Sequence, residues 1–84
     1  MTREQKLKEL EELAIRIGIE IRYEKMGTIS GGLCRIRDGE VILINKHLST
    51  ASKNELLAKE LMLEKDKLEK LFILPEIREL LELS

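Results

Sequence analysis

The chain has 84 residues, 43% of them hydrophobic and 37% charged, which is one domain's worth of sequence with no room for a second core. Its net charge of -1 gives no general pull toward nucleic acid or an anionic membrane. The one cysteine, Cys34, cannot close an internal disulfide, and no apolar run nears the roughly 18 residues of a membrane span.

The lone cysteine makes a reducing cytoplasm the expected compartment, and Met1 to Leu10 is charged and polar, with no signal-peptide core. A chain this short buries only about 60% of its unfolded surface, which leaves a thin stability margin. Amides are few (Gln5, Asn45 and Asn54) while Glu, Lys and Arg abound. That balance is common in proteins from hot environments, where ion networks cost less to desolvate.

Thr2-Arg3-Glu4-Gln5 is a capping-box pattern, and Leu7, Leu10, Leu13, Ala14 and Ile17 recur at helical spacing. A first helix is therefore expected from about Arg3 to Ile17, with Gly18 as its left-handed stop. The period then changes to two. Ile19, Ile21 and Tyr23 alternate with Glu20, Arg22 and Glu24, which predicts a half-buried strand.

A second strand is expected within Ile29 to Arg37, where Gly31-Gly32 marks a bulge or a close backbone approach. Asp38-Gly39 predicts a two-residue type I′ hairpin turn. That turn would set Arg37 opposite Glu40, Ile36 opposite Val41 and Cys34 opposite Leu43. Val41 to Ile44 is apolar on both faces, as suits a strand inside the sheet.

Ser49 or Ser52 can cap the next helix, whose segment Leu56 to Leu63 is apolar around most of its circumference. Asp66-Lys67-Leu68-Glu69 reads as another capping box, opening a short helical turn through Phe72. Pro75 suits a first helical position, and Ile77, Leu80 and Leu81 form a stripe expected to pack on the central helix. The fold class is α+β: an N-terminal helix, a three-stranded mainly antiparallel sheet with a type I′ hairpin, then a buried helix and two short C-terminal helices.

Leu57-Ala58-Lys59-Glu60-Leu61 follows Val41-Ile42-Leu43-Ile44-Asn45 and Leu48-Ser49, with Gly18-Ile19-Glu20-Ile21 and Gly31-Gly32 upstream. In order and spacing this resembles the N-terminal half of the phage-immunity zinc peptidases of the ImmA/IrrE type, a zincin-like scaffold, from about Leu7 to Leu63. The chain also resembles small uncharacterised bacterial proteins that carry the same Gly-Gly-Leu-Cys-Arg and Ile-Asn-Lys segments.

The resemblance implies a scaffold without its chemistry. Zinc peptidases place two imidazoles one turn apart in H-E-x-x-H, with the Glu as general base. Here Lys59 and Leu63 stand at the two histidine positions, and only Glu60 falls on a functional one. A protonated lysine has no lone pair and a leucine no ligand atom. No metal ligand carries over, and no metal or cofactor is expected.

Glu60 and His47 remain as catalytic candidates for a metal-independent activity in which Glu60 acts with His47 or Lys59. The plain reading of Glu60 is a helix-surface carboxylate, and of Cys34 a small buried hydrophobe. The expected register puts His47 about 13 Å along the strand from the partner of Cys34, too far for a shared metal or a Cys–His pair. Arg22, Lys25, Arg35, Arg37 and Lys46 could make one sheet face basic, though only Tyr23 and Phe72 are aromatic and could stack bases.

The function read from the sequence is a non-catalytic protein or peptide interaction domain. Such peptidases hold substrate by main-chain pairing along a strand beside the active-site helix, and a metal-free relative can keep that edge. Apolar Met62, Leu63 and Leu83 lack an obvious cover, which predicts self-association as a two-fold dimer.

Overall fold

The computed structural model describes residues 1–83. Helix α1 spans Arg3–Arg16 and opens on the expected box: Thr2 Oγ1 accepts from Gln5 N–H, and Gln5 Oε1 from Thr2 N–H. It closes at Ile17, and Gly18 follows with φ +87°. Strands β1 (Ile19–Glu24), β2 (Gly31–Ile36) and β3 (Gly39–Asn45) then form one sheet.

The sheet order is β1-β3-β2, with β3 parallel to β1 and antiparallel to β2. It is thus a mixed sheet, not a mainly antiparallel one. The physical reason is burial: Val41, Ile42 and Ile44 are, with Ile19, the least exposed strand residues, and only the central position covers them from both sides. Residues 25–30 carry the chain to the far edge, and the hairpin then inserts β3 beside β1.

The hairpin register also differs from expectation. Ile36 faces Gly39, Arg35 faces Glu40 and Cys34 faces Val41, a shift of two residues. Arg37 and Asp38 therefore make the turn, and neither has positive φ, which a type I′ turn requires of both. The positive φ falls instead on Gly39, at +151°, as the first residue of β3.

Helix α2 (Thr50–Met62) is capped by Ser49, whose Oγ accepts from Ser52 N–H at 3.1 Å. A short helix α3 (Lys65–Leu68) starts ahead of the expected box and has no side-chain cap. Its placement follows from Leu68, which is fully buried. Helix α4 (Pro75–Leu80) begins on Pro75 as predicted. It lies against α1, with Ile77 and Leu81 buried, while Leu80 turns to solvent.

Helices α1 and α2 pack together on one face of the sheet, α1 over β1 and α2 over β2 and β3. The Cα extents of 35 × 32 × 15 Å match a slab of one sheet layer and one helix layer. Leu10, Leu13, Ile19, Ile42, Ile44, Leu57, Leu61, Leu68 and Ile77 make the core between and beside them. Of the apolar residues expected to lack cover, Met62 and Leu83 pack half-buried on this core, and Leu63 is 75% exposed. Among the described residues, no helix is long and apolar enough to cross a membrane.

Candidate binding groove

Strand β2 is an edge strand, and its free side is defined by one hydrogen bond. Asn45 N–H donates to the Ser30 carbonyl at 2.9 Å, so Ser30 turns its main chain toward β3. Alternation along an antiparallel strand then points Gly32, Cys34 and Ile36 toward β3 and leaves the N–H and C=O groups of Leu33 and Arg35 facing outward. Edge strand β1 is lined by Glu20, Arg22 and Glu24, a charged sequence of the kind that discourages strand addition. Strand β2 carries no acidic residue.

A groove of about 280 Å³ lies at the Gly31 end of this edge, lined by Ser30, Leu48, Ser52, Glu55, Leu56 and Lys59. Ser52, Glu55, Leu56 and Lys59 share one face of α2 because they are three and four residues apart. The helix sits close to the strand because Gly31 has no side chain: a Cβ there would lie 3.1 Å from Leu56 Cδ2. Lys59 is exposed and makes no ion pair among the described residues.

A second cavity of about 210 Å³ lies between α1 and α4, bounded by Glu9, Glu12, Arg16, Phe72 and Leu74 over Leu13, Ile73 and Ile77. Neither cavity is lined by Glu60 or His47. Glu60 is half-buried on α2, and His47 is exposed in the loop before it, where its N–H donates to Asn45 Oδ1. The two catalytic candidates are therefore not brought together in a pocket with Lys59. Among the described residues, no group of three or more His, Cys, Asp or Glu side chains could hold a metal ion.

Cys34 is exposed, contrary to the buried position expected for it, because it lies on an edge strand in the row of Glu20, on the sheet face away from the helices. Its partner is Val41, which puts His47 six residues along the chain from that partner instead of four. The expected basic sheet face is also divided. Arg22 alternates with the core-facing Ile19 and Ile21, and Glu20 holds its guanidinium on the open face. Arg35 lies in the row of Ile19, on the helix side, 3.8 Å from Glu40.

Two buried amides to which the sequence alone assigned no role tie elements of the fold together. Asn45 is 4% exposed, and its Nδ2 donates to the carbonyls of Gly27 (3.1 Å) and Ile29 (2.9 Å), tying the loop before β2 to the end of β3. Asn54 on α2 donates to the Arg3 carbonyl at 3.0 Å and leaves its buried Oδ1 without a partner. The available signal was scarcity: in a chain so poor in amides, each amide that is kept has a geometric role.

Tyr23 joins three elements. Its hydroxyl donates to the Glu11 carboxylate on α1, and the Lys53 ammonium of α2 stands 5.3 Å from its ring centroid. Burial, then the Glu11 hydrogen bond and its negative charge, push the phenol above its usual range. The folded chain thus keeps this proton at pH values where the unfolded chain has lost it. Stability should fall as pH rises beyond about 10, the ordinary tyrosine value. Tyr23 is the sole tyrosine and tryptophan is absent, so phenolate absorbance reports this group alone. Its midpoint should lie above that of a model peptide and move down in Glu11→Gln; a parent midpoint at the peptide value would contradict this environment.

No protein-family model matches the chain, and no curated protein or solved structure is significantly similar to it.

Proposed function

We propose that this protein is a non-catalytic interaction domain that binds an extended peptide or partner strand by adding it to the free edge of β2. The observation that carries the reading is the outward-facing main chain of Leu33 and Arg35 beside the groove under α2. Main-chain pairing supplies affinity in this mode, and flanking pockets choose the side chains. The resemblance to zincin-like peptidases supports the same edge, since their substrates lie along a strand beside the active-site helix. Residual zincin chemistry is not part of the reading, because Lys59 and Leu63 offer no metal ligand.

A proline scan separates the edge from the ladder. Arg35→Pro removes an outward N–H and no bond within the sheet, as edge strands tolerate. Cys34→Pro removes a ladder bond to Val41 and should lower the thermal midpoint. Octapeptides selected from a random displayed library on the parent protein should bind Arg35→Pro at least about ten-fold more weakly, with the thermal midpoint little changed. Equal binding to both proteins would exclude the β2 edge.

Self-association is a second reading, favoured by Phe72 and Leu63, which are 78% and 75% exposed. It uses the helix layer and leaves the β2 edge free. A light-scattering mass that doubles at micromolar concentration and falls in Phe72→Ser would support it.

A further inference from the structure

Resting on the strand-addition reading, we propose that the occupant of the β2 edge is an acidic extended peptide, with its carboxylates directed to Lys59 and Arg35. The charges around this edge are unevenly distributed. Arg35 is 87% exposed and only loosely paired with Glu40, Arg37 is exposed in the turn, and Lys59 lines the groove. Lys46 is exposed just beyond the end of β3, at the groove end of the edge. Glu55 in the groove, Glu40 beside Arg35 and Asp38 in the turn are the carboxylates along the path of an added strand, three against the four cations Arg35, Arg37, Lys46 and Lys59.

The same distribution opposes a second copy of the chain at this edge. Two β2 strands paired antiparallel would set Arg35 and Arg37 of each protomer toward the Gly31 end of the other, where Lys46 and Lys59 already stand. Like charges would meet at both ends. Nucleic acid is disfavoured on different grounds: Tyr23 bonds to Glu11 on the β1 side, and no aromatic residue lines the groove on which a base could stack. An extended peptide pairs its main chain with Leu33 and Arg35 and needs no stacking platform.

Blocked octapeptides alternating valine with glutamate, and valine with lysine, test the proposal by fluorescence anisotropy at low and high salt. The glutamate peptide should bind at least about ten-fold tighter than the lysine peptide, and the difference should shrink at about 0.5 M salt. Lys59→Glu should reduce or reverse the preference, and Arg35→Pro should weaken both peptides. If both peptides bind equally and both are lost in Arg35→Pro, the edge docks peptides and the acidic preference is wrong. If neither peptide binds the parent, strand addition itself fails. Displacement of the glutamate peptide by an eight-residue oligothymidylate, or a dimer abolished by Arg35→Pro, would overturn the choice of partner.

Discussion

Gly31→Ala is expected to unfold at a temperature well below the parent. A Cβ at this position would lie 2.0 Å from the Leu43 carbonyl oxygen and 2.9 Å from its carbon, both backbone atoms of the central strand. The residue also has φ +136°, a conformation that L side chains rarely adopt. Relief requires β2 to move away from β3, which weakens the ladder that positions the edge. A strained backbone of this kind costs about 1–3 kcal/mol before any ladder bond is lost. We expect a total near 3 kcal/mol or more, roughly 15 °C in midpoint for a domain of this size.

Gly32→Ala is the control. A Cβ there meets nothing within 4 Å, and φ +158° borders the extended region. Its loss should be about 1 kcal/mol, in line with ordinary strand substitutions. Thermal unfolding followed by circular dichroism decides between them. If Gly31→Ala melted with the parent, the close approach of β2 to Leu43 would be wrong, and the groove beside it would have a different shape. In the expected case, peptide binding is lost together with stability in Gly31→Ala and retained in Gly32→Ala.

The Gly31-Gly32 pair shows how far the sequence could be read. Two glycines inside a strand pattern announce a close approach, and the structure places it at the first of them. The capping box at Thr2, the stop at Gly18 and the helix start at Pro75 were legible for a similar reason: each rests on a local rule with one dominant solution. Strand order was not. Nothing within β1, β2 or β3 says that the hairpin folds back to place β3 beside β1, because that choice is made by total burial.

The hairpin register illustrates the same limit. Asp38-Gly39 suggests a turn centred on those residues, yet Arg37 and Asp38 form it. Shifting the pairing by two preserves which side chains face the helices, so the hydrophobic pattern could not distinguish the two registers. For the candidate site, the sequence drew attention to Lys59 only through a resemblance. That it lines a groove beside a free strand edge required the fold. Glu60, the other residue the resemblance singled out, is not part of that groove's lining.

Asn45→Asp is expected to be nearly as damaging as Gly31→Ala, by a mechanism that leaves a pH signature. The native amide donates two hydrogen bonds, to the Gly27 and Ile29 carbonyls, and accepts one from His47 N–H. Aspartate keeps the acceptor and turns the donor into an oxygen that faces two carbonyl oxygens at 4% exposure. A buried, uncompensated carboxylate of this kind costs roughly 3 kcal/mol or more. Protonation restores one donor, so the folded variant should hold its proton to higher pH than the unfolded chain does. A raised carboxyl value means stability is retained below the ordinary aspartate value and lost as pH rises through the shifted one. Relative to the parent, the variant should therefore be much less stable at pH 7 and recover part of the deficit near pH 4. Asn45→Ala lacks the ionisable group and should lose about 2 kcal/mol with no such recovery. Denaturant unfolding of the three proteins across this pH range tests the argument. An aspartate variant whose deficit is the same at both pH values would show that the side chain had left its position against the two carbonyls.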